Sequence, residues 1–235
     1  MDERRDGLQR QQRDVAHGAE WYERRHRIVL VVDDRSFVRF GGLAAVLLAL
    51  TSWAAVLTYA TLAQPAADAQ LNELTTLFLG RQIFQFLYAL IAFWALFAIV
   101  AVYYRMRAVG EAWAFFATLI GVAASVATMV AAMYELANLR LNPPLAGVSP
   151  ANPLGVMSFG LTGLWFLIAN LQLWRTATPR VLVLLGFVAA VDLFAGFVGG
   201  LSGNGGLVYL ASVIAGAIGG PIYWLWLGRL LRRDA

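Results

Sequence analysis

Few side chains able to do chemistry lie inside the apolar stretches of this chain. Asp192 stands near the middle of the run Val181 to Gly200, about 11 residues or about 16 Å from its arginine-flanked end at helical rise. It shares a helical face with Ala189, Gly196 and Gly199, so it is expected to point into a bundle. Glu135 closes the run Ala112 to Tyr134, and Arg81, on one face with Gln85, precedes the run Ile83 to Tyr104. In antiparallel helices these two ends reach similar depth, where Arg81 and Glu135 could pair. Asn170 adds an amide to the run Gly155 to Trp174. A charge at such depth costs at least about 2.5 kcal/mol on insertion scales and usually marks a pathway or relay. Asp192, Glu135, Arg81 and Asn170 are therefore the binding or relay candidates. The plainer reading of Asp192 is a neutral carboxyl donating one hydrogen bond to a neighbouring helix.

Other patterns suggest chemistry that their surroundings do not support. Arg27 to Asp34 resembles the first strand and acidic pair of a phospho-acceptor domain, but the chain enters an apolar run within about six residues, leaving no room for a doubly wound sheet. Gly200-Leu201-Ser202-Gly203 matches a short intramembrane serine motif. A serine nucleophile needs a general base, and the two histidines, His17 and His26, precede every apolar run. An intramembrane aspartyl site needs a second aspartate, and Asp192 has none. The chain contains no cysteine, which excludes thiolate chemistry and iron–sulfur ligation. All 18 of its basic residues are arginine, so no lysine is available for a Schiff base. No catalytic, metal or cofactor-binding residues are assigned, and the chain is expected not to be an enzyme.

The elements that must position the candidates follow from composition. The 235 residues are 60% hydrophobic and 14% charged, against roughly 25% charged in soluble domains. A span needs about 20 apolar residues, and six windows qualify: Phe40–Ala60, Ile83–Tyr104, Ala112–Tyr134, Gly155–Trp174, Val181–Gly200 and Leu207–Leu227. The expected fold is all-α, a polytopic membrane bundle of six transmembrane helices. The expected organisation is a charged arm over 1–39, the bundle over 40–228 and a basic end over 229–235. With the N-terminus inside, 16 of the 18 arginines fall on the inner side and only Arg81 and Arg140 outside, so both termini are expected in the cytoplasm. Tyr103, Tyr104, Trp113, Trp174, Tyr223, Trp224 and Trp226 are read as the inner aromatic belt. The arm carries nine arginines against eight acids and reads as solvated and partly helical. It is too long and too mixed in charge for a signal peptide, so the first helix is expected to be an uncleaved anchor.

Between helices, Leu62 to Gly80 carries Leu71, Leu74 and Phe78 at helical spacing and predicts a short interfacial helix. The proline-rich stretch Asn142 to Pro153 predicts an extended cap, and Leu201 to Gly205 a tight turn. Small-residue stripes predict close helix packing: Ala117, Gly121, Ala124, Thr128 and Ala131; Ala189, Gly196 and Gly199; Ser212, Gly216 and Gly220. Gly219-Gly220-Pro221 predicts a kink in the sixth helix. Leu119 to Val126 aligns with Leu184 to Val191, a short match weighed as an internal duplication of the kind common in transporters.

Three further stretches are Arg39-Phe40-Gly41-Gly42-Leu43, then Phe159-Gly160-Leu161 through Trp174-Arg175-Thr176-Ala177-Thr178-Pro179-Arg180-Val181-Leu182 to Gly186, and Pro221-Ile222-Tyr223-Trp224-Leu225-Trp226-Leu227-Gly228-Arg229. Over roughly residues 37 to 233 the chain resembles a six-helix bacterial membrane family known as a domain of unknown function. The resemblance implies the topology and a bacterial inner membrane, and it brings no activity or site. Two functions are carried forward. One is a non-catalytic membrane subunit that binds a protein partner through the arm or the small-residue faces. The other is a small proton- or solute-linked carrier using Asp192. The expected surroundings are a lipid bilayer, without nucleic acid.

Overall fold

The computed structural model describes residues 34–63, 71–141 and 153–234, apart from the side chains of 71–77, 138–141 and 234. The chain folds into helices throughout these residues, α1 (Asp34–Ala63), α2 (Leu71–Met106), α3 (Glu111–Leu141), α4 (Pro153–Leu173), α5 (Arg180–Ser202) and α6. The last is built from Gly205–Val213, a π-helical segment Ile214–Gly219, and Gly220–Asp234. Among the described residues six helices are long and apolar enough to cross a membrane, which makes this a multi-pass membrane protein. Helices suit a bilayer because every backbone bond closes within the element. Residues 1–33 of the arm, with all of the run from Arg27 but Asp34, and the cap over 142–152 lie outside the described residues, whereas 34–39, expected in the arm, form the first turns of α1.

Each helix starts or stops where local chemistry requires it. The α2–α3 turn is closed by the Gly110 amide on the Met106 carbonyl, 3.3 Å. Between α4 and α5, Thr176 Oγ1 donates to the Leu173 carbonyl at 2.8 Å, and Pro179 (φ −56°) leads into α5. Gly203, at φ +69°, takes the left-handed conformation that ends α5. Asn204 Oδ1 then accepts from the Leu207 amide at 3.2 Å and caps α6. Ser202 donates to the Val198 carbonyl at 2.8 Å, so Leu201 and Ser202 still belong to α5 and the turn expected over Leu201 to Gly205 is confined to Gly203 and Asn204.

Two expectations about elements are corrected. Leu71, Leu74 and Phe78 do not form a separate interfacial helix: they are the opening turns of the 36-residue α2, because nothing between Leu71 and Met106 breaks the backbone ladder. Tyr223 and Trp224 do not belong to an interfacial belt. Tyr223 is fully buried and Trp224 nearly so, in an aromatic cluster where Trp165 and Trp224 stack at 5.3 Å and Phe166 meets Tyr223 edge-on at 5.0 Å. Trp113, Trp174 and Trp226 are exposed, as belt residues should be.

The bundle is packed unevenly along its length. At the end where both described termini meet, glycines and alanines bring helices together. A Cβ on Gly42 would lie 2.8 Å from the Gly228 carbonyl, and one on Gly228 would lie 2.6 Å from the Gly42 carbonyl. Ala45, Ala98, Ala101, Val102, Leu227 and Leu231 close this region. In α6 the C-terminal part buries Pro221, Tyr223, Leu227 and Leu231, while Gly205–Val213 buries only Ala211. Gly228→Val should therefore lower stability by about 1–3 kcal/mol, the usual cost of overpacking. Gly205→Ala, where an added Cβ meets nothing within 4 Å, should be neutral. Thermal unfolding of the two variants in the same detergent checks the contrast.

Candidate functional site

The interruption of α6 begins with a missing donor. Pro221 has no N–H to offer the carbonyl four residues back, that of Ala217. In a bilayer a carbonyl left without a donor is costly, and Trp53 of α1 supplies one: its Nε1 donates to Ala217 at 3.0 Å. The wider π-helical geometry is closed by the Gly220 amide on the Ala215 carbonyl. Residue 220 must be small, since a Cβ there would overlap that same carbonyl. The expected kink at Gly219-Gly220-Pro221 thus spreads backwards over Ile214–Gly219. π-Helical insertions of this kind occur frequently at functional sites.

Asp192 lies against this segment. It is half-buried at the middle of the 23-residue α5, and its carboxylate approaches the backbone amide of Ala215. Its Oδ2 is buried and has no hydrogen-bond partner among the described residues. Ala189, Gly196 and Gly199 are buried on the same face, in line with the expected inward orientation. The helices packed against this part of α5 offer no competing charge. α4 has no ionisable side chain, and α6 from Gly205 to Gly220 has only Tyr209, which is exposed. A carboxyl with one oxygen to spare beside a locally unwound helix can change hydrogen-bonding character on protonation. The carboxylate accepts from an amide, whereas the acid also donates.

Asn170 serves a different part of the bundle. Its Nδ2 donates to the Phe166 carbonyl at 2.7 Å, and its Oδ1 accepts from the Tyr223 hydroxyl at 3.3 Å. The amide occupies the space in which a Cβ on Gly186 would sit. Asn170 therefore joins α4, α5 and α6 as a buried tie, and among the described residues no hydrogen bond links it to Asp192. Gly121 plays toward Trp165 the part that Gly186 plays toward Asn170: a Cβ on Gly121 would lie 2.5 Å from the Trp165 ring. The two aligned segments around these glycines thus both receive side chains from α4.

Arg81 and Glu135 are half-buried on neighbouring α2 and α3, but no ion pair joins them in the described residues. Arg107 and Asp34 do pair, at 3.2 Å at the opposite end of the bundle, exposed enough to contribute little. Nearby, Arg105 Nε donates to the buried Thr178 hydroxyl at 3.1 Å, fastening α2 to the α4–α5 turn. The small-residue stripe on α3 is buried at Ala117, Gly121, Ala124 and Ala131. The stripe on α6 is not a packing seam among the described residues: Ser212 faces outward and a Cβ on Gly216 would meet nothing within 4 Å. The π segment rotates that part of the helix away from the bundle.

Trp53 and Trp165 were not among the candidates, although each indole lies well inside its span. An indole N–H away from both interfaces needs a partner, and that was the available signal. Comparisons with protein-family models, curated proteins and solved structures give no match. The site rests on its own geometry. Gly186→Ala should destabilise the protein by roughly 2–3 kcal/mol through overpacking against Asn170. Combined with Asn170→Ala it should cost clearly less than the sum of the two single changes, because they share one contact. Chemical or thermal unfolding of the four forms tests this coupling.

Proposed function

We propose that this protein is a small proton-linked membrane carrier in which Asp192 is the protonatable group and the π-helical segment of α6 is the element it controls. The observation that carries the reading is the juxtaposition of a mid-span carboxyl, with Oδ2 buried and unpartnered among the described residues, and the interrupted backbone at Ala215. Interrupted helices are a recurrent feature of binding and coupling sites in transporters. With Asp192 ionised, the Ala215 amide has an anionic acceptor and the segment is held to α5. Protonation replaces that acceptor with a weaker one, and the N-terminal part of α6, which buries only Ala211, is free to swing about Gly220–Pro221. The reading sets both chain ends on the cytoplasmic side of a bacterial inner membrane, in keeping with the arginine distribution.

A second reading is a non-catalytic membrane subunit that binds a protein partner. It is favoured by the outward-facing Ser212 and Gly216, small residues on a helix face that no other described helix covers. A stoichiometric protein partner recovered from native nanodiscs, and lost on Gly216→Leu, would support this second reading over the first.

Because the chain has no cysteine, spin labels can be placed without background. Labels at Tyr209→Cys on α6 and Met157→Cys on α4, both exposed, report the separation of the two helices at one end of the bundle. In nanodiscs the interspin distance should shift by several ångströms between pH 8 and pH 5, and Asp192→Asn should remove the shift. A distance indifferent to pH, or a shift that persists in Asp192→Asn, would contradict the carrier mechanism.

A further inference from the structure

A second polar group is left over inside the bundle, well separated in role from Asp192. Trp165 is 1% exposed, and its Nε1 is buried without a hydrogen-bond partner among the described residues. It lies against Gly121, where an added Cβ would come within 2.8 Å of the nitrogen. Both residues line a half-open cavity of about 130 Å³ to which all six helices contribute, close to the roughly 150 Å³ that accepts a benzene ring.

The chemistry of the walls narrows what can enter. Among the described residues no charged side chain lines the cavity, so an ion would lose its hydration without an opposite charge to offset it. Three of the lining hydroxyls already donate to their own helices: Ser125 to Gly121 at 3.0 Å, Thr128 to Ala124 at 2.9 Å and Ser158 to Gly155 at 2.7 Å. They retain lone pairs and offer no further proton. The Trp165 N–H is thus a committed donor without an acceptor, and the Tyr88 phenol adds a second donor to the lining. Thr162 adds one more hydroxyl, and aromatic and aliphatic side chains make up the rest, including Trp224, whose ring stacks on Trp165.

We infer that this cavity is a binding site for a small uncharged molecule with an apolar body about the size of one ring and an oxygen that accepts a hydrogen bond from Trp165 Nε1. The inference deepens the carrier reading by naming its substrate class, and rests on that reading only for the role of the site. Gly121 is small because the indole must reach the cavity wall there. The site would admit ketones, esters and alcohols of this size and exclude carboxylates and ammonium ions.

The test uses the full-length protein in nanodiscs with ¹⁵N-labelled tryptophan, the Trp165 indole resonance being identified as the one absent from Trp165→Phe. Cyclohexanone should shift that resonance saturably. Methylenecyclohexane, the same shape without the oxygen, should bind at least tenfold more weakly, and cyclohexylammonium should not bind. Thr128→Leu, which fills the cavity from α3 without removing the indole, should weaken cyclohexanone binding at least tenfold. Equal affinities for ketone and hydrocarbon, binding of the ammonium ion, binding unaffected by Thr128→Leu, or a resonance that answers to none of the probes would overturn the assignment. The last result would make the cavity a hydration pocket. None of these results touches the pH-dependent separation of α4 and α6, so failure of the cavity assignment and failure of the carrier reading are distinguishable.

Discussion

A membrane helix must satisfy its backbone from within the protein, and at Pro221 that requirement cannot be met by α6 alone. The hydrogen bond from Trp53 Nε1 to the Ala217 carbonyl, 3.0 Å long, is the response. It reaches across 164 positions of sequence and lets a proline persist deep in a span. Around it the backbone takes π geometry over Ile214–Gly219, with a glycine at 220 where a side chain would collide with the Ala215 carbonyl. α1 thus grips one side of the interruption while Asp192 of α5 approaches the other.

The interruption divides the bundle into two mechanical parts. On its C-terminal side α6 is locked by the Gly42–Gly228 approach, by the Asn170–Tyr223 hydrogen bond and by the Trp165–Trp224 stack. On its N-terminal side Tyr209, Leu210, Val213, Ile214 and Ile218 all face outward. That half is held on one side alone, by a close seam with α5 in which a Cβ on Gly199 would lie 2.7 Å from Leu207 and one on Gly196 3.0 Å from Ala211. The cavity beside Trp165 lies on the locked side, bounded by the same aromatic cluster, so movement of α6 at Trp224 would be felt at its wall.

Much of the architecture was legible in the chain because length and apolarity suffice to mark a span: each expected window falls within its helix, to within a residue at Trp174. Asp192 was legible for the same reason, a carboxyl among apolar neighbours, and its inward face followed from Ala189, Gly196 and Gly199. Features that depend on partners remote in sequence were not legible. The glycines and proline at 219–221 announced a bend, but its spread to Ile214 depends on Trp53. Tyr223 and Trp224 have the composition of belt residues, and only their meeting with Trp165 and Phe166 puts them in the core. Ser212, Gly216 and Gly220 have packing spacing, and the π turn takes the first two off the seam. Asn170 was legible as an unusual amide, but its partner Tyr223 and the recess at Gly186 were not.

The mechanism turns on Ile214–Gly219 as a segment held from α1 by Trp53 and approached from α5 by Asp192. Hydrogen exchange of the full-length protein in nanodiscs, followed by mass spectrometry of peptides covering α6, measures this directly. The account predicts that amides over 214–219 exchange faster than those over 223–231, and that Trp53→Phe accelerates the first group while leaving the second unchanged. Equal and slow exchange along the whole of α6, or an α6 indifferent to Trp53→Phe, would contradict it.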